Sequence, residues 1–130
     1  MANLNAKIGD MTYDGLVTDI KPAVIVAGGV IAHGLAEANF KRGTLLEKGA
    51  DGKLVIFGST AAQGDTLTAD CILCDDITVG TSADAKAAVY IGGCFDPDKL
   101  TVKTGATISE AVKDVLREKG IILKAAAAAN

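Results

Sequence analysis

CILCDDITVGTSADAKAAVYIGGCFDPDKL, residues 71–100, decides the fold. Its apolar residues come in short runs, each closed by a turn signal. ADCILCDDITVG, residues 69–80, reads as a strand, a turn at Asp75-Asp76 and a short extension. AAVYIGG, from Ala87 to Gly93, is a further strand, and Asp96-Pro97-Asp98 then turns the chain before Leu100. Runs this short, bounded by Asp, Gly and Pro, build sheets rather than helices.

The pattern extends upstream. In RGTLLEKGADGKLVIFGS, the apolar stretches Thr44–Leu46 and Leu54–Phe57 flank KGADG. Its Asp51-Gly52 favours the positive dihedrals of a tight turn, so this is the clearest hairpin. PAVIVA, from Pro22, is a β-branched run, and Gly28-Gly29 marks a turn or bulge before VIAHG. Ala36–Asn39 is read as a helical turn, and TAAQGDTLT as a polar loop.

Downstream lies one helix. Thr107-Ile108-Ser109-Glu110 has the form of a capping box, in which each end satisfies the other's free N–H. Ile108, Ala111, Val112, Val115 and Leu116 form one apolar stripe. Lys119 suits the dipole of the last turn, and Gly120 stops the helix. Ile121-Ile122-Leu123 reads as a final strand.

The two ends differ from this middle. In residues 1–20 the apolar side chains Leu4, Ile8, Met11, Tyr13, Leu16, Val17 and Ile20 keep neither a period of 2 nor one of 3.6. The expected organisation is a flexible arm over 1–20, a single mostly β domain with one or two short helices over 21–124, and a low-complexity Ala-rich tail over 125–130.

Length and composition bound the function. A chain of 130 residues makes one domain and buries a core of its own. Hydrophobic residues reach 49% but aromatics only 4%, with no Trp, which suits closely approaching sheets better than a deep aromatic pocket. Sixteen acids against 13 bases give a net charge of −3, and the densest basic pairing is Lys41-Arg42. Phosphate backbones need a basic surface, so nucleic acid is not an expected partner. The longest apolar stretch, Pro22 to Leu35, is broken by Gly28, Gly29 and His33 and falls short of the roughly 20 residues that span a bilayer. No membrane partner is expected. The start lacks the apolar core of a signal peptide, so synthesis in the cytoplasm is expected, and 3 cysteines suit free thiols better than a disulfide framework.

Candidate chemistry has plain alternatives. Cys71 and Cys74 have the C-x-x-C spacing of zinc and thiol-redox sites, but zinc needs four ligands, and Cys94 and His33 would have to join them. A redox pair sits best at a helix N-terminus, whereas this one lies in a strand beside Asp70, Asp75 and Asp76, which raise a thiol pKa. Core packing is the favoured role. His33 is the sole imidazole, and no G-x-S-x-G accompanies it. The glycines of VAGGVIAHG match neither a dinucleotide fingerprint nor a phosphate loop. Gly58-Ser59, a possible self-cleavage dipeptide, is commoner as a turn. Asp75-Asp76 and Asp96/Asp98 lack calcium-loop spacing.

GTLLEKG followed by VIFGS, then the 71–100 stretch, and finally the helix ending in EKGIIL together resemble the lambda-type head decoration proteins of tailed phages and prophages. The likeness runs from about Tyr13 to Leu123, and its most specific parts are Cys71–Ile77, Val89–Phe95, Leu100 and Gly120–Leu123. Cys71 stands where the family pattern has Gly, and Cys74 and Cys94 replace other ordinary residues, which supports packing over thiol chemistry. The resemblance implies a β-clip-like domain that seats as a homotrimer over local threefold positions of the expanded capsid. Its partner would be the major capsid protein, its location the outer surface of the virion. No catalysis and no cofactor would be expected.

In that reading the arm adds a strand to the capsid subunit. Ordering a whole arm of 20 residues costs more than its apolar side chains return, so the contact narrows to Met11, Tyr13, Leu16, Val17 and Ile20. Three linked arms multiply such weak contacts. The competing readings are a small cytoplasmic metal or redox module or enzyme using Cys71 and Cys74, and a β-rich adaptor module of an unrelated cell-surface or secretion system.

Overall fold

The computed structural model describes residues 15–19, 23–60 and 66–124. In chain order the strands are β1 (Val17–Asp19), β2 (Ile25–Ile31), β3 (Ala38–Phe40), β4 (Leu45–Lys48), β5 (Leu54–Ile56), β6 (Thr68–Leu73), β7 (Ile77–Val79), β8 (Ala85–Phe95) and β9 (Ile121–Leu123). One helix, α1 (Glu110–Glu118), precedes β9, and a turn of 3-10 helix spans Pro97–Lys99. The fold is mostly β, as expected.

The organising strand is β8. Tyr90 pairs with Val26 of β2 on one edge and with Ile72 of β6 on the other. β2 joins β5 in parallel, β5 joins β4, and β4 joins β6, so these five strands close on themselves. Past the ring, the end of β8 pairs with β1 on one edge and with β9 on the other. β3 and β7 form a separate two-stranded ribbon.

Because successive strand side chains point to opposite faces, ring strands feed two cores. Leu46, Cys71, Leu73 and Val89 point into one, with Ile31 and Leu54. Their neighbours Leu45, Ile72 and Tyr90 point into the other, with Leu16, Phe57, Phe95, Leu116 and Ile121. Burial on both faces explains why CILC and AAVYI are continuous apolar runs rather than alternating ones.

Most local expectations hold. In the hairpin, β4 and β5 pair antiparallel around a turn where Gly52 has φ +81 and its N–H donates to the Gly49 carbonyl at 3.0 Å. Asp96 caps the 3-10 turn by accepting from the Asp98 N–H at 2.9 Å. Gly120, at φ +99, stops α1.

Three expectations change. Gly28-Gly29 is neither turn nor bulge, for β2 runs straight through it with Gly28 opposite Ala88 and Gly29 opposite Ala87. Gly29 serves packing instead: a Cβ there would meet Leu54 Cδ1 at 2.7 Å. The helical turn at Ala36–Asn39 is replaced by β3, whose Asn39 Oδ1 accepts from the Thr78 hydroxyl at 2.6 Å. The helix cap is Ser109, whose hydroxyl accepts from the Val112 N–H at 3.3 Å, two residues beyond the expected Thr107.

Candidate functional site

The expected site lies where the chain enters the domain. Leu16 and Val17, expected in the flexible arm, lie in the domain: Leu16 is 1% exposed in the aromatic core and Val17 packs against it. The Asp96 N–H donates to the Leu16 carbonyl at 2.8 Å, and Val17 and Asp19 pair with Phe95 and Cys94. Residues 15–19 therefore belong to the domain, and the arm boundary at residue 20 gives way. The cause is long-range: only a partner in β8 makes Leu16 a core residue. Met11, Tyr13 and Ile20 lie outside the described residues.

The last described residues sit at the same place. Leu123 is opposite Phe95 on the other edge of β8, and the Lys124 N–H donates to the Phe95 carbonyl at 2.8 Å. The Thr18 hydroxyl donates to the Lys124 carbonyl at 3.0 Å and touches Cys94 Sγ at 3.4 Å. Gly15 and Lys124 thus share one end of the molecule, the Phe95 end of β8. That basal end is where the first and last described residues meet.

A second surface was missed by sequence reasoning. Val24, Ile25 and Val26 are large apolar residues left 38%, 53% and 53% exposed. The register slips here, Ile25 facing Gly92 and Val26 facing Tyr90, which leaves Ile91 as an extra residue on β8. Next to Val26, a shallow groove on the flank is lined by Ala27, Gly28, Lys86, Ala87 and Ala88. The available signal was the uncharged run of residues 22–32, read only as a strand and a turn.

The candidate reactive groups take structural places. Three positions apart on a strand and its continuation, Cys71 and Cys74 pack into opposite cores. Cys71 is fully buried, and burial first, then Asp70, pushes its thiol well above the ordinary range. A reactive thiol needs the reverse. Cys94 is buried beside Thr18. Among the described residues, no three His, Cys, Asp or Glu side chains gather as metal ligands would.

His33 Nδ1 lies 2.6 Å from Asp84 Oδ1, and Lys53 Nζ lies 2.8 Å from Asp84 Oδ2. Lys53, and the bonds from the His33 backbone and ring, hold the Asp84 carboxyl well below the usual carboxylate range. This carboxylate ties the β4–β5 hairpin to the loops after β2 and β7. A small apolar cavity of about 170 Å³ opens beside it, lined by Ile31, Phe40, Ile56 and Val79 among others. At Gly58-Ser59 the Ser59 hydroxyl donates to the Ile56 carbonyl at 2.6 Å, the bond of a turn. The Asp76 carboxylate accepts from the Arg42 N–H at 2.7 Å. The Arg42 guanidinium donates to the Tyr90 hydroxyl and to the Cys74 carbonyl, clasping β8 to the end of β6.

These arrangements brace a scaffold and offer surfaces. No described helix is long and apolar enough to cross a membrane. A family model described as "Bacteriophage lambda head decoration protein D" matches residues 6–128, nearly the whole chain. No curated protein matches the chain.

Proposed function

The chain belongs to the bacteriophage lambda head decoration protein D family, and from that premise we propose that it cements an expanded phage capsid as a trimer at local threefold positions. The major capsid protein is its partner, and the virion surface its location. The N-terminal segment, through Met11, Tyr13 and Ile20, adds a strand to the capsid subunit by main-chain pairing. Its role is structural rather than catalytic.

One observation carries this reading. The N-terminal segment is rooted by Leu16 and β1 in the aromatic core at the basal end, where Lys124 also lies. A segment held so firmly at its root can transmit a hold on the shell to the whole domain. Leu16 and Val17 become anchor residues in this reading instead of capsid contacts, and the partner-facing residues precede Gly15 or follow Asp19.

Pelleting of the full chain with expanded and unexpanded empty shells tests it. Saturable binding to expanded shells alone, a copy for each capsid subunit, is the expected result. Met11→Asp with Tyr13→Asp should weaken that binding by about tenfold or more, a loss of about 1.4 kcal/mol or more, with an unchanged melting temperature. Equal binding to both shells, or to neither, overturns the proposal.

A further inference from the structure

The ring and the β3–β7 ribbon do not close completely on each other. A cavity of about 170 Å³ remains between them, walled by Ile31 of β2, Val55 and Ile56 of β5, Phe40 of β3 and Val79 of β7. An apolar protein cavity of about 150 Å³ holds one benzene ring, so this one has the size of a single ring with a small substituent. Among the described residues, two polar side chains reach its wall, His33 just past β2 and Ser59 just past β5. Each has its proton already committed. Asp84 Oδ1 lies 2.6 Å from His33 Nδ1 and accepts from the His33 backbone N–H at 3.0 Å. Lys53, 2.8 Å from the other oxygen, and His33 hold that carboxyl well below the usual range, so it stays ionised. A carboxylate only accepts, so the imidazole proton sits on Nδ1, and Nε2 of the neutral ring is an acceptor. The Ser59 hydroxyl donates to the Ile56 carbonyl at 2.6 Å and keeps its oxygen lone pairs. The side chains of the wall thus offer acceptors and no donor.

We infer that this cavity is a binding site for a phenol, a single aromatic ring bearing one hydroxyl. The ring buries its carbons against Ile31, Phe40, Ile56 and Val79, and its hydroxyl donates to the acceptors at His33 and Ser59. Three features choose the ligand. The volume admits one ring, the aromatic face of Phe40 suits an aromatic one, and the two acceptors call for a donor. A ketone or an ether would leave those acceptors unpaired, and a carboxylate would also meet the charge of Asp84. The inference stands apart from the decoration reading, since nothing in it depends on a capsid.

The test titrates the full chain with phenol, anisole and benzene at about pH 8, where an ordinary imidazole is neutral. Binding is read by calorimetry and by NMR shifts at Phe40, Ile56 and Val79. Phenol should saturate one site and bind about tenfold more tightly than anisole, which keeps the ring and the oxygen but has no proton to donate. The double variant His33→Ala with Ser59→Ala should bring phenol down to the level of anisole while anisole binding holds, which an unfolded chain would not show. Ala38→Leu, on the cavity wall, should fill the space and abolish binding of all three ligands without lowering the melting temperature. Free phenols and tyrosine side chains share this chemistry, so N-acetyltyrosinamide is added as a competitor. Displacement of phenol shows that the mouth admits a tyrosine side chain, and its exclusion restricts the site to free phenols; both uphold the site. No saturable binding, phenol no tighter than anisole, or undiminished binding in Ala38→Leu each overturns the inference. Pelleting with shells is scored separately, so a failed decoration reading leaves these results untouched.

Discussion

The two cores are built from different parts of the chain. The one inside the ring draws on Ile31, Leu46, Leu54, Cys71, Leu73, Val79 and Val89, aliphatic or small side chains from the middle of the chain. The other takes Phe57, Tyr90 and Phe95 together with Leu16, Leu116 and Ile121, so it exists only once the two ends of the chain have come together. Tyr90 and Phe95 pack within it as a tilted pair, 5.1 Å between ring centroids. The ring is thus complete without either end of the chain, and the aromatic core is the knot that ties the N-terminal root, α1 and β9 onto β8.

The strongest way to break that comparison is to empty the knot. Phe95→Ala removes its largest buried side chain and should cost about 3–5 kcal/mol in urea unfolding. It should also release the root, so that limited proteolysis cuts near Leu16 at denaturant-free conditions. Leu46→Ala, in the ring core, should cost about 2–5 kcal/mol without opening that site. Equal proteolysis of the two variants would show that the knot does not hold the root.

The adjacent glycines sharpen the contrast between inside and outside. Gly29→Ala drives a methyl into Leu54 of the ring core, and should cost about 1–3 kcal/mol by thermal or urea melts. Gly28→Ala points to open space and should stabilise the free chain by about 0.4–1 kcal/mol through its unfolded state. If both changes had the same sign, the assignment of the two glycines to opposite faces would fail.

The effect of Cys71 is nil at neutral pH and grows only in alkali. Burial raises the Cys71 thiol above its ordinary value, so the folded chain keeps a proton that the unfolded chain releases. Stability from this group is complete below the ordinary thiol range and falls as pH rises through it. The slope is about 1.4 kcal/mol per unit above roughly pH 8.5. Tyr90, also raised by burial, adds the same sign at higher pH. Urea midpoints taken across this range should flatten in Cys71→Ala, and an unchanged slope would assign the alkaline loss elsewhere.

Much of the fold was legible in local chemistry. The β4–β5 hairpin, the Asp96 cap, the Gly120 stop and the strands around Ile72 and Tyr90 are each set by residues within a few positions of one another. What was misread depends on distant partners. Gly28-Gly29 has the composition of a turn, and only Leu54, in another strand, shows why Gly29 is there. Ala36–Asn39 has helical composition, yet Asn39 answers to Thr78. Leu16 looks like one apolar residue in an irregular stretch until Phe95 and Asp96 come beside it. The surface was harder still, because the flank of β2 reveals itself by side chains left uncovered, which no periodicity records.

The direction of β1 has a mechanical consequence. It enters the domain at the basal end and runs up β8, with Leu16 plugged into the core just ahead of it. A pull on Gly15 directed away from the basal end therefore acts along the strand axis. It loads the β1–β8 hydrogen bonds and the Leu16 plug together, in shear, instead of peeling them off one after another. A short strand attached this way yields at a higher force than the same strand unzipped.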